Sequence, residues 1–259
     1  MKLTRRDFLK LSGAAALSLS FPAVLEARAA TVPVLLYHDI SNATGDPLAL
    51  SPSRFASQME WLYETGYRAV SFADLFGLSS DEASRAVILT FDDGYASFLD
   101  YAYPLLAYYR FKATINIIGK HMGGYVSGND PRVSWDECRY LAGTGLVEIG
   151  CHTFDLHKWY GRQPRSRAVT AMNEKLAEDL AHFQSFYQHE MGMPAQVLAW
   201  PYGMHDNRSI EIAKQKGFRY LLNSESRRFE MGRGYEEIPR LSIEAGAQLP
   251  LFREWIEKS

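Results

Sequence analysis

Two adjacent carboxylates, Asp92 and Asp93, close the apolar run Ala86–Phe91 and are followed directly by Gly94. Neighbouring side chains of a strand point to opposite faces, so the pair can diverge only where the strand ends and the backbone turns. One carboxylate is then free to bind a metal ion and the other to handle a proton. Two histidines, His152 and His157, follow a second apolar run, Val147–Cys151. Side chains five residues apart on a helix lie roughly 140° apart, and on a strand they face opposite sides. The two can share an ion only if the segment from His152 to His157 curls as a loop, which excludes the H-E-x-x-H helix geometry. With one aspartate they make a two-histidine, one-carboxylate site that keeps positions open for water and substrate. Either histidine alone reads as a surface or core residue. Both together, with Asp92-Asp93 after another strand, outweigh that reading.

Such groups need a scaffold that brings strand ends together. Apolar runs suited to strands occur at Val32–Tyr37, Arg68–Val70, Ala86–Phe91, Ala113–Ile118, Val147–Cys151, Val197–Trp200, Tyr220–Asn223 and Ile238–Ile243. Helical patterns fall near Pro52–Thr65, Tyr95–Arg110, Trp135–Thr144, Arg167–Met191, Asn207–Lys216 and Pro250–Lys258. Ser134 with Glu137 reads as a capping box, Gly145 and Gly217 stand where helices end, and Leu176, Leu180, Phe183 and Tyr187 form a core-facing stripe. Strands alternating with helices imply parallel βαβ units. Roughly seven or eight repeats favour an α/β barrel over an open sheet. In a parallel fold the C-terminal strand ends share one face. His38-Asp39, Asp92-Asp93, the histidine segment, Pro201-Tyr202-Gly203 and Arg240 each follow or border a predicted strand, so they are expected to converge on one rim. Ser41–Ser51 and Gly123–Pro131 read as exposed rim loops.

The chain opens with Thr4-Arg5-Arg6-Asp7-Phe8-Leu9-Lys10, a small and apolar run, and Ala27-Arg28-Ala29. This is the pattern of a twin-arginine export signal with a cleavage triad. The apolar run, broken by Gly13 and Pro22, falls short of the about 20 apolar residues of a spanning helix. Residues 1–29 are therefore expected to be removed, leaving residues 30–259 as one catalytic domain in the periplasm or outside the cell, with no membrane span. With 28 basic and 30 acidic residues and a net charge of −2, no basic stripe points to nucleic acid. Cys138 and Cys151 read as two buried free thiols in preference to a disulfide.

Thr90-Phe91-Asp92-Asp93-Gly94, His152-Thr153 with His157, and Trp200-Pro201-Tyr202-Gly203 resemble the signature motifs of the polysaccharide deacetylases, the NodB-homology domains of carbohydrate esterase family 4. The resemblance runs from about Val32 to Ile243. The five-residue histidine spacing, the early Tyr37-His38-Asp39 and the Trp-Pro-Tyr-Gly motif are similar to the poly-β-1,6-N-acetylglucosamine deacetylase branch. The resemblance implies a distorted (β/α)7–8 barrel, circularly permuted, that removes N-acetyl groups from an extracytoplasmic amino-sugar polymer. It implies that Asp93, His152 and His157 hold one divalent metal, zinc first, with cobalt, nickel or iron as alternatives. It makes Asp92 the general base, His38 the general acid towards the leaving amine, and the Tyr202 backbone N–H an oxyanion donor.

Where much of the family has an arginine that orients the base aspartate, this chain has Trp200. Arg240 is a candidate replacement, and an ordinary ion pair is the equal alternative. Asp39 is a candidate neighbour of the site or a turn cap with Asn42. Phe154 and Trp159 are candidate sugar contacts, as are Trp135 and Tyr125, against the commoner role of core aromatics. Peptidoglycan, chitin-type oligomers and O-acetylated polysaccharides are alternative substrates. A non-catalytic carbohydrate-binding protein and a small-amide hydrolase are alternative classes. Other proteins of polysaccharide synthesis or export are expected to supply any further activity.

Overall fold

The computed structural model describes residues 30–43, 45–124, 131–160 and 165–258. The expected export signal lies outside them, as do Tyr125 and residues 126–130 of the second rim loop. Eight strands form the main sheet: β1 (Val34–Tyr37), β2 (Arg68–Ala69), β3 (Ala86–Phe91), β4 (Ala113–Ile117), β5 (Val147–Cys151), β6 (Val197–Ala199), β7 (Tyr220–Leu222) and β8 (Leu241–Ser242). Their order is β7-β6-β5-β4-β3-β1-β8, all parallel, with β2 paired to the start of β3. A parallel bridge from Leu222 to Ile238, just before β8, brings the two ends of the sheet together. The expected barrel therefore forms, and it is distorted. At its base β2 inserts beside β3, and Lys112 N–H, leading into β4, donates to Ala69 C=O at 3.1 Å. Pairing of β3 with β4 starts only at Thr90 and Thr114.

Alternation along each strand divides the apolar residues between two cores. Val34, Ala86, Ile88, Val197, Ala199, Tyr220 and Leu222 pack inside the barrel. Leu35, Val87, Leu89, Ile115, Ile149 and Leu198 face the helices. Both faces are buried, which is why the strands read as unbroken apolar runs. The outer layer consists of α1 (Pro52–Glu64), α2 (Tyr103–Tyr109), α3 (Trp135–Gly143), α4 (Arg165–Met191), α5 (Asn207–Gln215) and α6 (Leu249–Glu257). The expected capping box opens α3, with Ser134 and Glu137 exchanging side-chain and backbone bonds. Leu176, Leu180, Phe183 and Tyr187 of α4 are all buried, as their spacing requires.

Three local features differ from expectation. The helix expected from Tyr95 begins as a π-turn at Phe98–Ala102 before α2. The Ser41–Ser51 loop is held at its base by Asp39–Ile40 pairing with Ala49–Leu50. Thr31–Val32 pairs with Phe229–Glu230 in a separate antiparallel ribbon. Pairs this short carry too little pattern to be read from sequence. Cys138 and Cys151 are buried and unpaired. No helix among the described residues is long and apolar enough to cross a membrane.

One polar residue in the wall has a consequence for stability. Burial pushes the Glu148 carboxyl up to about 7, with only a 3.4 Å bond from Thr114 Oγ1 to oppose it. An unfolded glutamate titrates near about 4.3, so the folded state binds the proton more tightly. The penalty is absent below pH about 4 and grows as pH rises through about 7. Glu148→Gln is expected to stabilise the fold by on the order of 1–3 kcal/mol at pH 8 and not at pH 4. Urea titrations at the two pH values measure the difference.

Candidate metal centre and active site

Strand β3 stops at Phe91 because the chain turns sharply. Asp92 N–H still donates to Tyr37 C=O at 2.9 Å, but Asp93 and Gly94 both adopt φ of +69°. This left-handed step is one that aspartate tolerates better than bulky residues and glycine adopts freely. It swings the two carboxylates apart. A Cβ at position 94 would sit 3.2 Å from Ile117 Cγ2, which closes that position to larger residues.

The histidine segment curls as its spacing demands. His152 N–H donates to Ile117 C=O at 2.8 Å, and Thr153 adopts φ of +71°. The Asp179 carboxylate, from α4, then accepts the N–H groups of Phe154 at 2.7 Å and Asp155 at 2.8 Å. The chain folds back, so the rings of His152 and His157 lie 4.9 Å apart. Asp93 Oδ1 lies 3.5 Å from His152 Nε2 and 3.3 Å from His157 Nε2.

These three groups fit a metal ion. Their ligand atoms all lie within 4.8 Å of one another, compatible with bonds of about 2.0–2.2 Å to one centre. Asp93 Oδ1 is buried without a hydrogen-bond partner among the described residues, an expensive state unless another group claims it. His152 Nδ1 lies 2.8 Å from Ala199 C=O. A carbonyl only accepts, so Nδ1 donates to it, and Nε2 is the ring atom left for an ion beside Asp93. Burial pushes His157 down to about 4, so that ring is neutral at pH 7. One carboxylate and two imidazoles suit a first-row divalent ion.

Asp92 lies in different surroundings. Arg240 reaches it across 148 residues of sequence, Nη1 to Oδ1 and Nη2 to Oδ2, both at 2.8 Å. The arginine is itself fixed by Asn223 C=O at 2.9 Å and Thr90 Oγ1 at 3.3 Å. Asn116 Nδ2 adds a third donor, 2.7 Å from Asp92 Oδ1. Burial works against ionisation of Asp92, but Arg240 overrides it and holds the carboxyl well below the usual range. Asp92 is thus anionic and oriented. Because β1 lies between β3 and β8, the N-terminal His38 and the C-terminal Arg240 enter the same mouth.

A cavity of about 330 Å³ opens there, lined by His38, Trp200, Tyr202 and Arg240 together with both aspartates and both histidines. A larger groove of about 670 Å³, between Arg68, Tyr109 and Lys112, lies at the opposite strand ends and holds none of these groups. Tyr202 has φ of +56°, and its half-exposed ring tilts over His157 at 5.1 Å. Trp200 is buried and stacks on His205 at 5.9 Å. His205 Nδ1 lies 3.0 Å from Gly203 C=O and so braces the same turn.

Other candidates are placed elsewhere. Phe154 stacks on Phe186 at 5.3 Å and would meet any side chain at position 119, so it packs the outer layer and does not contact the cavity. Trp159 carries the Lys175 ammonium 5.4 Å above its ring and does not line the cavity. Trp135 packs edge-on against Tyr187. Asp39 bonds Ser41 and Ser97, tying down the loop that follows β1, and makes no bond to Asn42 or to the cavity residues. Asn116, Asp179 and Gly150 were not anticipated. The one sequence signal for Asn116 is a polar residue inside the apolar run Ala113–Ile118.

Residues 79–221, more than half of the chain, match the family model for polysaccharide deacetylase. The chain belongs to the polysaccharide deacetylases. It is 26% identical over 209 residues to the poly-β-1,6-N-acetyl-D-glucosamine N-deacetylase of Staphylococcus aureus (strain MSSA476), covering 80% of this chain and 72% of that one. It is also 26% identical over 232 residues to a Bacillus subtilis (strain 168) protein named as a polysaccharide deacetylase, covering 88% and 77%. The solved structure of IcaB from Ammonifex degensii superposes with a TM-score of 0.74 at 23% identity, over 89% of this chain and 99% of that one. A de-N-acetylase from Aggregatibacter actinomycetemcomitans gives 0.73 at 22% identity, over 87% and 99%. The family sets the reaction class: this deacetylase is a hydrolase acting on an acetylated polysaccharide.

Proposed function

We propose that this deacetylase removes N-acetyl groups from poly-β-1,6-N-acetylglucosamine outside the cytoplasm, with one divalent ion held by Asp93, His152 and His157. The observation that carries the reading is the division of labour between neighbouring carboxylates. Asp93 faces two histidines with an oxygen that has no hydrogen-bond partner among the described residues, while Asp92 is locked by Arg240 and Asn116 in the same cavity. The choice of polymer is supported by the name of the Staphylococcus aureus relative and by the five-residue histidine spacing. The location rests on the twin-arginine pattern at Arg5-Arg6. Zinc is the first choice, because two imidazoles and one carboxylate are a common catalytic zinc set, with cobalt, nickel and iron as alternatives.

When bound, the ion polarises the acetyl carbonyl and lowers the pKa of water towards about 7. Asp92 takes the proton of the attacking water as its oxygen adds to the acyl carbon. The Tyr202 backbone N–H donates to the oxygen that gains charge. The C–N bond then breaks, and His38 delivers a proton to the departing amine. Burial lowers the pKa of His38, with Arg240 and His152 adding to the effect against Asp92 and Asp93. A neutral His38 has no proton of its own to give, so the proton that Asp92 takes from the water passes to His38 before the C–N bond breaks, and Asp92 returns to the carboxylate. Products are acetate and a free glucosamine amine.

Acetate release from β-1,6-linked N-acetylglucosamine oligomers by zinc-loaded protein tests the proposal. Asp92→Asn keeps the shape and removes the base, and should lower turnover by about 10²–10⁴-fold with zinc content unchanged. Turnover on chitin oligomers or acetylated xylan alone would move the substrate, and binding without turnover would make the chain a lectin on this fold.

A further inference from the structure

We infer that Asn116, given room by Gly150, selects which oxygen of Asp92 accepts the proton, and so acts as a positioning residue for deacetylation. The inference rests on Asp92 being the base. Asn116 is fully buried on β4 and its Nδ2 lies 2.7 Å from Asp92 Oδ1. An amide oxygen at that distance from a carboxylate would repel it, so the nitrogen must face Asp92. Arg240 Nη1 donates to the same oxygen at 2.8 Å, whereas among the described residues Oδ2 receives only Arg240 Nη2. Each carboxylate oxygen offers about two lone-pair sites, so Oδ1 is saturated and Oδ2 is not. Oδ2 is also the oxygen turned to the histidines, 4.0 Å from His152 Nε2. Asn116 therefore occupies the oxygen that faces away from the histidines and leaves the other for the proton.

Gly150 makes this possible. It stands opposite Asn116 in the β4–β5 register. A Cβ at position 150 would lie 2.1 Å from Asn116 Oδ1 and 3.3 Å from Thr114 Cγ2, so even alanine evicts the amide. Asn116 Oδ1 has no hydrogen-bond partner among the described residues, so the amide leaves half of its bonding capacity unused in the barrel wall. A residue placed for packing alone would be apolar here, like Val34, Ile88 and Ala199 elsewhere on the inner face. The retained amide serves its nitrogen, and the nitrogen serves Asp92.

The test compares Asn116→Ala, Gly150→Ala and the double variant. The readouts are β-1,6-linked N-acetylglucosamine oligomer turnover, zinc binding by calorimetry, and crystal structures. Asn116→Ala is expected to lower kcat about 10–100-fold, the scale of a small misplacement of a reacting group. KM should stay within about twofold, as expected when only an interaction of the transition state is lost. The zinc Kd should match the wild type, and the Asp92 carboxylate should be rotated in the crystal. Gly150→Ala should reproduce the kcat loss, and the double variant should be no worse than Asn116→Ala, because both act through one bond. Multiplicative losses, an unchanged kcat, or an Asp92 carboxylate in its original orientation overturns the inference. Retained turnover in Asp92→Asn would instead remove the reading on which it rests. The carboxylate orientation decides the structural claim even if the oligomers are not turned over.

Discussion

Arg240→Leu is expected to cost about 3–5 kcal/mol of stability, because it leaves the Asp92 carboxylate buried without its counter-charge. Asp92 is 2% exposed and Arg240 1% exposed, so water cannot replace the lost partner. The Arg240→Leu/Asp92→Asn double variant should recover most of that loss, since it buries no unpaired charge. Urea unfolding of the three proteins measures the coupling. The wild-type advantage should be present above pH about 4, where an unfolded aspartate is ionised, and should shrink as pH falls and the variant's Asp92 takes up a proton. Arg240→Lys keeps a positive charge and loses the two-pronged grip. It should keep more stability than Arg240→Leu while losing about 10²-fold in turnover through misplacement of Asp92. Equal stability of wild type and Arg240→Leu at pH 7 would show that the pair does not hold the site.

Removing a candidate metal ligand should be the other large effect. His157→Ala leaves Asp93 and His152 with no third donor, and turnover with zinc is expected to fall by at least about 10³-fold, the loss of several kcal/mol of charge stabilisation. Zinc should raise the melting temperature of the wild type, since a ligand at about 100 times its Kd adds about 2.7 kcal/mol. It should not do so for His157→Ala. His189→Ala, an 82% exposed histidine at the end of α4, serves as the control and should retain both responses. Metal analysis after dialysis completes the comparison, with zinc kept by the wild type and the control but not by His157→Ala. A zinc-insensitive wild type that still releases acetate would overturn the metal assignment.

The parts legible in the sequence are those with local causes. Strands β3 and β5 have the expected bounds, because burial on both faces writes each as a continuous apolar run. Ser134 and Glu137 close a capping box three residues apart, within reach of any pattern reader. The Asp93–Gly94 turn and the curled histidine segment followed from side-chain periodicity alone: two groups could meet only if the backbone left strand or helix geometry there. Aromatic type was less informative. Phe154 and Trp159 were plausible sugar contacts by composition, but a ring carries no sign of the side of the barrel wall it faces. The neighbours on α4, Phe186 and Lys175, decided that.

By itself, the sequence of this deacetylase determined the alternation that builds a barrel and the residue types that gather at its rim. It also carried the divergence of the Asp92 and Asp93 side chains, because adjacent residues on a strand end must part. Only the tertiary structure decided what holds each group. Arg240, just before β8, and Asn116, on β4, reach Asp92 from elsewhere in the sheet, and Asp179 gathers the histidine loop from a helix; neither partnership has a spacing rule. The physical reason is that a hydrogen bond depends on distance in space, whereas sequence pattern reports only the local period of the chain.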